Sequence, residues 1–179
     1  MSLNSTPAAE RVHIGIFGKR NAGKSSIINA LTGQALAVVS DVAGTTTDPV
    51  PKAMELLPLG PVMLIDTPGL DDVGELGSLR VQKTYQILNK TDIALLIYDG
   101  SVGITEEDIA ILERIREKKI PYIVVKNKAD LPQAEDTQTE GLEHIISVSA
   151  VENTGIHELK ELLAKQVPAN ENNRRIVAD

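Results

Sequence analysis

Short apolar runs alternate with amphipathic stretches along most of the chain. Residues 12–17 form a compact apolar run, which predicts a buried strand. Residues 26–31 show helical spacing and stop at Gly33, a residue suited to a helix end. Residues 53–57 and 62–65 are strand-like and are joined by Pro58-Leu59-Gly60-Pro61, which predicts a hairpin. Residues 77–89 read as a helix with Leu79, Tyr85 and Leu88 turned inward. Residues 93–98 are continuously apolar, as expected of a strand covered on both faces. Residues 105–118 form an amphipathic helix. Thr105 and Asp108 are placed for an N-terminal cap, and Ile109, Leu112 and Ile115 make the inner stripe. A strand at 122–125, a polar loop at 132–140, a strand at 145–148 and a helix at 156–167 complete the series. Strand–helix alternation of this kind predicts a mainly parallel sheet wrapped on both sides.

A chain of 179 residues suits one domain with a substantial core. We expect residues 1–10 to be a disordered lead-in, 11–168 the folded domain, and 169–179 a linker. No apolar run approaches bilayer length and residues 1–11 lack a signal-peptide core, so no membrane partner and a cytoplasmic location are expected. There is no cysteine, which excludes disulfides, thiol catalysis and a cysteine-held iron–sulfur cluster in this segment. The formal charge of −7 argues against a general nucleic-acid binder. His13, His144 and His157 have no metal-ligand spacing.

Four short motifs carry the chemistry, and each follows a predicted strand. Gly18-Lys19-Arg20-Asn21-Ala22-Gly23-Lys24-Ser25 fits G-x-x-x-x-G-K-[ST]. A glycine-rich turn of this kind curls its backbone N–H groups around phosphate, and the next helix aims its dipole at the same anion. The cradle comprises Asn21, Ala22, Gly23, Lys24, Ser25 and Ser26. Lys24 supplies a cation for the β- and γ-phosphates, and Ser25 is placed to ligate Mg²⁺. In Asp66-Thr67-Pro68-Gly69, Asp66 can reach the Mg²⁺ through water and the Gly69 N–H can sense the γ-phosphate. In Asn127-Lys128-Ala129-Asp130, the Asp130 carboxylate can accept both the N1–H and N2–H₂ donors of guanine. Adenine lacks them and leaves the charge unpaired, which opposes an ATPase. Asn127 and Lys128 brace the loop and pack on the ring. Ser149-Ala150 can offer a backbone N–H to the guanine oxygen. In Gly44-Thr45-Thr46-Thr47-Asp48, Thr46, with Thr45 second, can ligate Mg²⁺ and bond the γ-phosphate of GTP.

This motif set resembles that of P-loop GTPases of the translation-factor type, and within them the TrmE–Era–EngA group. The segments Gly15 to Ser25, Ser40 to Val50 and Met54 to Pro61 are similar to the HydF family, GTPases that assist assembly of the [FeFe]-hydrogenase active site. The resemblance covers about residues 10–170. It implies an α/β fold: a three-layer P-loop NTPase of the Ras-like G-domain kind. Its mainly parallel six-stranded sheet has one antiparallel strand and helices on both faces. It implies GTP and GDP as substrate and product, and a G domain whose partners include dimerisation and cluster-binding domains of a longer protein, the hydrogenase and other maturation proteins. Thr47 departs from TrmE-like relatives, which carry arginine in G-T-T-R-D, and so points toward HydF. The alternatives are a TrmE- or Era-like GTPase in tRNA modification or ribosome assembly, and a nucleotide-regulated interaction module with little hydrolysis.

Many GTPases orient the attacking water with a glutamine after the D-x-x-G glycine. Leu70 stands there and cannot do so. In TrmE-like relatives a P-loop asparagine helps hold K⁺ in the role of an arginine finger, and Asn21 occupies that position. Asp71, Asp72 and Glu75 are acidic candidates for positioning water, with Glu75 preferred. The expected turnover is slow, on the order of 10⁻⁴–10⁻² s⁻¹ without assistance.

Overall fold

The computed structural model describes residues 11–33, 50–66, 77–135, 139, 142 and 144–167. Their order is β1 (Val12–Gly18), a 3₁₀ turn (Arg20–Ala22), α1 (Lys24–Thr32), β2 (Val50–Leu56) and β3 (Gly60–Asp66). Then follow α2 (Gly77–Leu88), β4 (Ile93–Asp99), α3 (Glu106–Glu117), β5 (Tyr122–Asn127), β6 (Ile145–Ser147) and α4 (Ile156–Gln166). The expected lead-in at 1–10, the linker at 169–179 and Leu79 lie outside the described residues and side chains.

The six strands form one sheet in the order β2-β3-β1-β4-β5-β6. Every pairing is parallel except the β2–β3 hairpin. The alternation of strands with helices requires this arrangement, because parallel neighbours need a crossover and only the short 57–59 link permits an antiparallel turn. One face of the sheet packs Ile14, Ile16, Leu95, Ile97, Ile123 and Val125 against Ile27, Ile28 and Leu31 of α1 and Leu159 and Leu163 of α4. The other packs Phe17, Leu96, Tyr98 and Val124 against Ile87 and Leu88 of α2 and Leu112 and Ile115 of α3. The result is the expected three-layer, Ras-like architecture.

Three details differ from the sequence expectation. Strand β2 ends at Leu56, and Leu57 is 67% exposed in the turn. Met54 and Leu56 are buried while Glu55 is exposed, so a period of two leaves Leu57 on the outside. In α2, Tyr85 is only half-buried, and Thr84, Ile87 and Leu88 face inward. In α3, Ile109 is half-buried and Asp108 takes the inner place beside Leu112 and Ile115. The expected cap explains this last change. Asp108 N–H donates to Thr105 Oγ1, and the Asp108 carboxylate accepts from Thr105 N at 3.0 Å, which folds that side chain back under the first turn.

Candidate functional site

The β1 strand delivers Gly18 to the top of the sheet with φ 145°, and a Cβ there would meet the Ile97 carbonyl oxygen at 2.4 Å. Glycine therefore lets β1 lie tight against β4 just before the loop turns. The loop then passes through the 3₁₀ turn to Gly23, whose φ of 93° is left-handed and which caps α1 with no side-chain hydrogen bond. The first-turn N–H groups of α1 thus meet no side-chain cap, and the helix dipole points at the same place. Lys24 and Ser25 begin the helix there; Lys24 is buried and its Nζ stands 3.6 Å from Asp66 Oδ1 at the end of β3. An uncapped helix N-terminus beside an ammonium group fits a polyphosphate. The Ser25 hydroxyl and the Asp66 carboxylate are hard oxygen donors of the type Mg²⁺ takes.

A second group of residues closes over this loop from β5 and β6. Asn127, at the end of β5, is buried; its Nδ2 donates to the Ala22 carbonyl at 2.9 Å and its Oδ1 accepts from Ala150 N at 3.2 Å. Lys128, in the left-handed region at φ 64°, donates from Nζ to the Asn21 carbonyl at 2.8 Å. The Ser149 hydroxyl donates to Asp130 Oδ1 at 2.7 Å and accepts from Glu152 N at 3.1 Å, which fixes one carboxylate oxygen of an otherwise exposed Asp130. Ser149 is itself locked to Thr154 by paired backbone hydrogen bonds of 3.0 Å. Residues 21–25, 66, 127–130 and 149–150 therefore gather at the carboxyl ends of the parallel strands, where open α/β sheets bind ligands. Ser26 lies exposed on the first turn of α1. Thr45, Thr46, Gly69, Asp71, Asp72 and Glu75 lie outside the described residues.

One family model, described as a 50S ribosome-binding GTPase, matches residues 13–128. The chain belongs to this GTPase family. The tRNA modification GTPase MnmE of Aquifex aeolicus is 40% identical over 162 residues, spanning 90% of this chain and 36% of that protein. GTPase Der of Wolinella succinogenes is 37% identical over 171 residues, with 88% and 36% covered. The chain thus spans about a third of the length of these curated relatives. Among solved structures, Era in complex with MgGDPNP and a fragment of 16S ribosomal RNA superposes with a TM-score of 0.71 at 27% identity, covering 88% of this chain and 57% of that one. An Aquifex aeolicus Era variant bound to GDP and aluminium fluoride gives 0.70 at 28% identity, covering 87% and 56%. These matches place the GTPase in the TrmE–Era–EngA group, whose fold and nucleotide, GTP or GDP, it shares.

The structure also holds a residue that motif reading passed over. Asp99 ends β4 as Asp66 ends β3, and its Oδ2 lies 3.0 Å from Lys128 Nζ. The Ser101 hydroxyl and backbone N–H donate to its Oδ1 at 2.6 and 2.9 Å. Burial pushes the Asp99 carboxyl up, but Ser101 and the Lys128 ammonium outweigh it and hold it below the usual carboxylate range. The signal available in the sequence was a carboxylate directly after an apolar strand, the same signal that marked Asp66.

Proposed function

We propose that this domain is a slowly hydrolysing GTP switch within a larger protein. Lys24 and the backbone from Asn21 to Ser26 cradle the phosphates, and Asp130, Asn127, Lys128 and Ala150 recognise the base. Ser25 and Asp66, with Thr46, hold Mg²⁺. Held there, Mg²⁺ would offset the negative charge of the phosphates. The observation that supports this reading best is the bond from Asn127 to the Ala22 carbonyl, which links the base-recognition loop to the phosphate loop. Base identity and phosphate grip are thereby read by one rigid unit. Calorimetry with Mg²⁺ tests it: GDP binds far more tightly than ADP, and equal affinities overturn the reading.

Hydrolysis needs a group to offset charge in the transition state, and Leu70 removes the usual water-orienting glutamine. The proposed substitute is K⁺ held through Asn21, with Glu75 positioning water. Turnover measured in K⁺ exceeds that in Na⁺; equal rates remove the K⁺ role. Negligible phosphate release in K⁺ would instead favour a nucleotide-regulated interaction module.

The setting of the switch has two readings. Several curated relatives are tRNA modification GTPases and favour service to RNA modification. The second reading is H-cluster assembly for [FeFe]-hydrogenase. A specific observation favours it: Thr47 replaces the arginine of G-T-T-R-D, within segments that resemble HydF. The encoded sequence after Asp179 separates them. A cysteine-bearing cluster domain supports assembly of the hydrogenase centre, and an RNA-binding or tRNA-modifying domain supports the first reading.

A further inference from the structure

We propose that Asp99 is a positioning residue for guanine-nucleotide binding, acting through Lys128; the proposal rests on the reading of the site given above. Lys128 carries a flexible four-carbon stem, and a free ammonium group on such a stem samples many rotamers. Here two acceptors fix it: the Asn21 carbonyl at 2.8 Å and Asp99 Oδ2 at 3.0 Å. The first belongs to the phosphate loop and the second to the end of β4. The pair is mostly shielded, with side-chain exposures of 30% for Lys128 and 17% for Asp99. Water therefore screens it less than a surface pair.

Asp99 is itself pinned. Ser101 donates two hydrogen bonds to Oδ1, which turns Oδ2 toward Lys128. The Gly100 N–H donates to the Asn127 carbonyl at 2.9 Å, so the β4 end and the start of the base-recognition loop are tied by backbone as well. A Cβ at Gly100 would meet Lys126 side-chain carbons at 2.9 Å and Gln133 Oε1 at 2.4 Å, so the backbone passes close under this loop. The Gln133 amide donates to the carbonyls of Lys128 and Leu131 at 2.9 and 2.6 Å, closing the loop from its far side. The chain runs Ser101, Asp99, Lys128, Asn21. It fixes the lysine stem before the base arrives, so the nucleotide does not bear the cost of ordering it. Asp99 touches neither base nor phosphate in this scheme. It sets where Lys128 lies.

The test is a double-mutant cycle on the 179-residue chain, read by displacement of a fluorescent GDP in Mg²⁺. Asp99→Asn keeps the shape and an acceptor for Ser101 but removes the charge. Losing one charge-assisted hydrogen bond weakens GDP about tenfold, expressed as faster dissociation. In a Lys128→Ala background the same change has no further effect, because the group it positions is gone. Ser101→Ala gives a smaller loss that also vanishes in that background, and it carries the cycle if Asp99→Asn does not fold. Losses that add in the double variants overturn the proposal, as does unchanged GDP dissociation in Asp99→Asn. A parent chain that does not bind GDP at all overturns the underlying guanine reading instead.

Discussion

Replacing Gly23 by alanine tests how the phosphate loop is held. The residue has φ 93°, and a Cβ built there meets Asn127 Nδ2 at 2.3 Å. Two costs follow. A side chain in left-handed backbone costs about 1–2 kcal/mol. The clash also displaces Asn127 from the Ala22 carbonyl, and a buried amide that loses its partner costs about 1–3 kcal/mol. The sum, about 2–5 kcal/mol, leaves a domain of ordinary stability folded but measurably weaker. Urea denaturation followed by circular dichroism measures it. The same substitution in an Asn127→Ala background discriminates the two contributions. With the amide gone, only the backbone cost of about 1–2 kcal/mol remains. An equal cost of Gly23→Ala in both backgrounds refutes the contact; a cost below about 0.5 kcal/mol refutes the strain as well.

Asp130→Asn replaces the carboxylate that would accept both guanine donors, so the preference for GDP over ADP falls by at least about a hundredfold in calorimetry. Leu56→Ala, at a buried position, costs about 2–4 kcal/mol, whereas Leu57→Ser on the exposed side changes stability by less than about 0.5 kcal/mol; chemical denaturation of the two variants checks the strand phase. Burial raises the Asp108 carboxyl above its ordinary 3.8, against the Thr105 hydrogen bonds that lower it. The folded state therefore holds this proton more tightly than the unfolded chain. The contribution is full below pH 3.8 and is lost as pH climbs through the raised value. The stability of the parent relative to Asp108→Asn accordingly declines across that window, and a difference that rises with pH reverses the assignment.

Local patterning carried most of the architecture. The hairpin was legible because Pro58-Leu59-Gly60-Pro61 is too short for a crossover, and the α3 cap because Thr105 and Asp108 stand at cap spacing. The strand-like stretch was drawn one residue too long, since hydrophobicity alone does not separate the buried Leu56 from the exposed Leu57. Asp108 escaped the inner stripe because its burial depends on folding back to Thr105, an interaction that hydrophobic periodicity does not register. At the site, Asn127 and Asp130 were legible as a motif, yet what each touches was not. Asn127 reaches a carbonyl 105 positions away, and Asp130 accepts from the hydroxyl of Ser149, a contact that the motif spacing does not register. Asp99 and Lys128 are 29 positions apart and have no shared periodicity, so only the sheet brings them together.

The strand order has a bearing on biosynthesis. β1 is made first but sits inside the sheet, between β3 and β4, both of which emerge later. A nascent chain stopped short of Ile93 leaves one flank of β1 unpaired, and one stopped short of Asn127 lacks the side chain that fastens the Ala22 carbonyl. Synthesis through the 127–150 segment must therefore precede nucleotide capture, and a product that stops short of Ile93 carries an exposed strand flank.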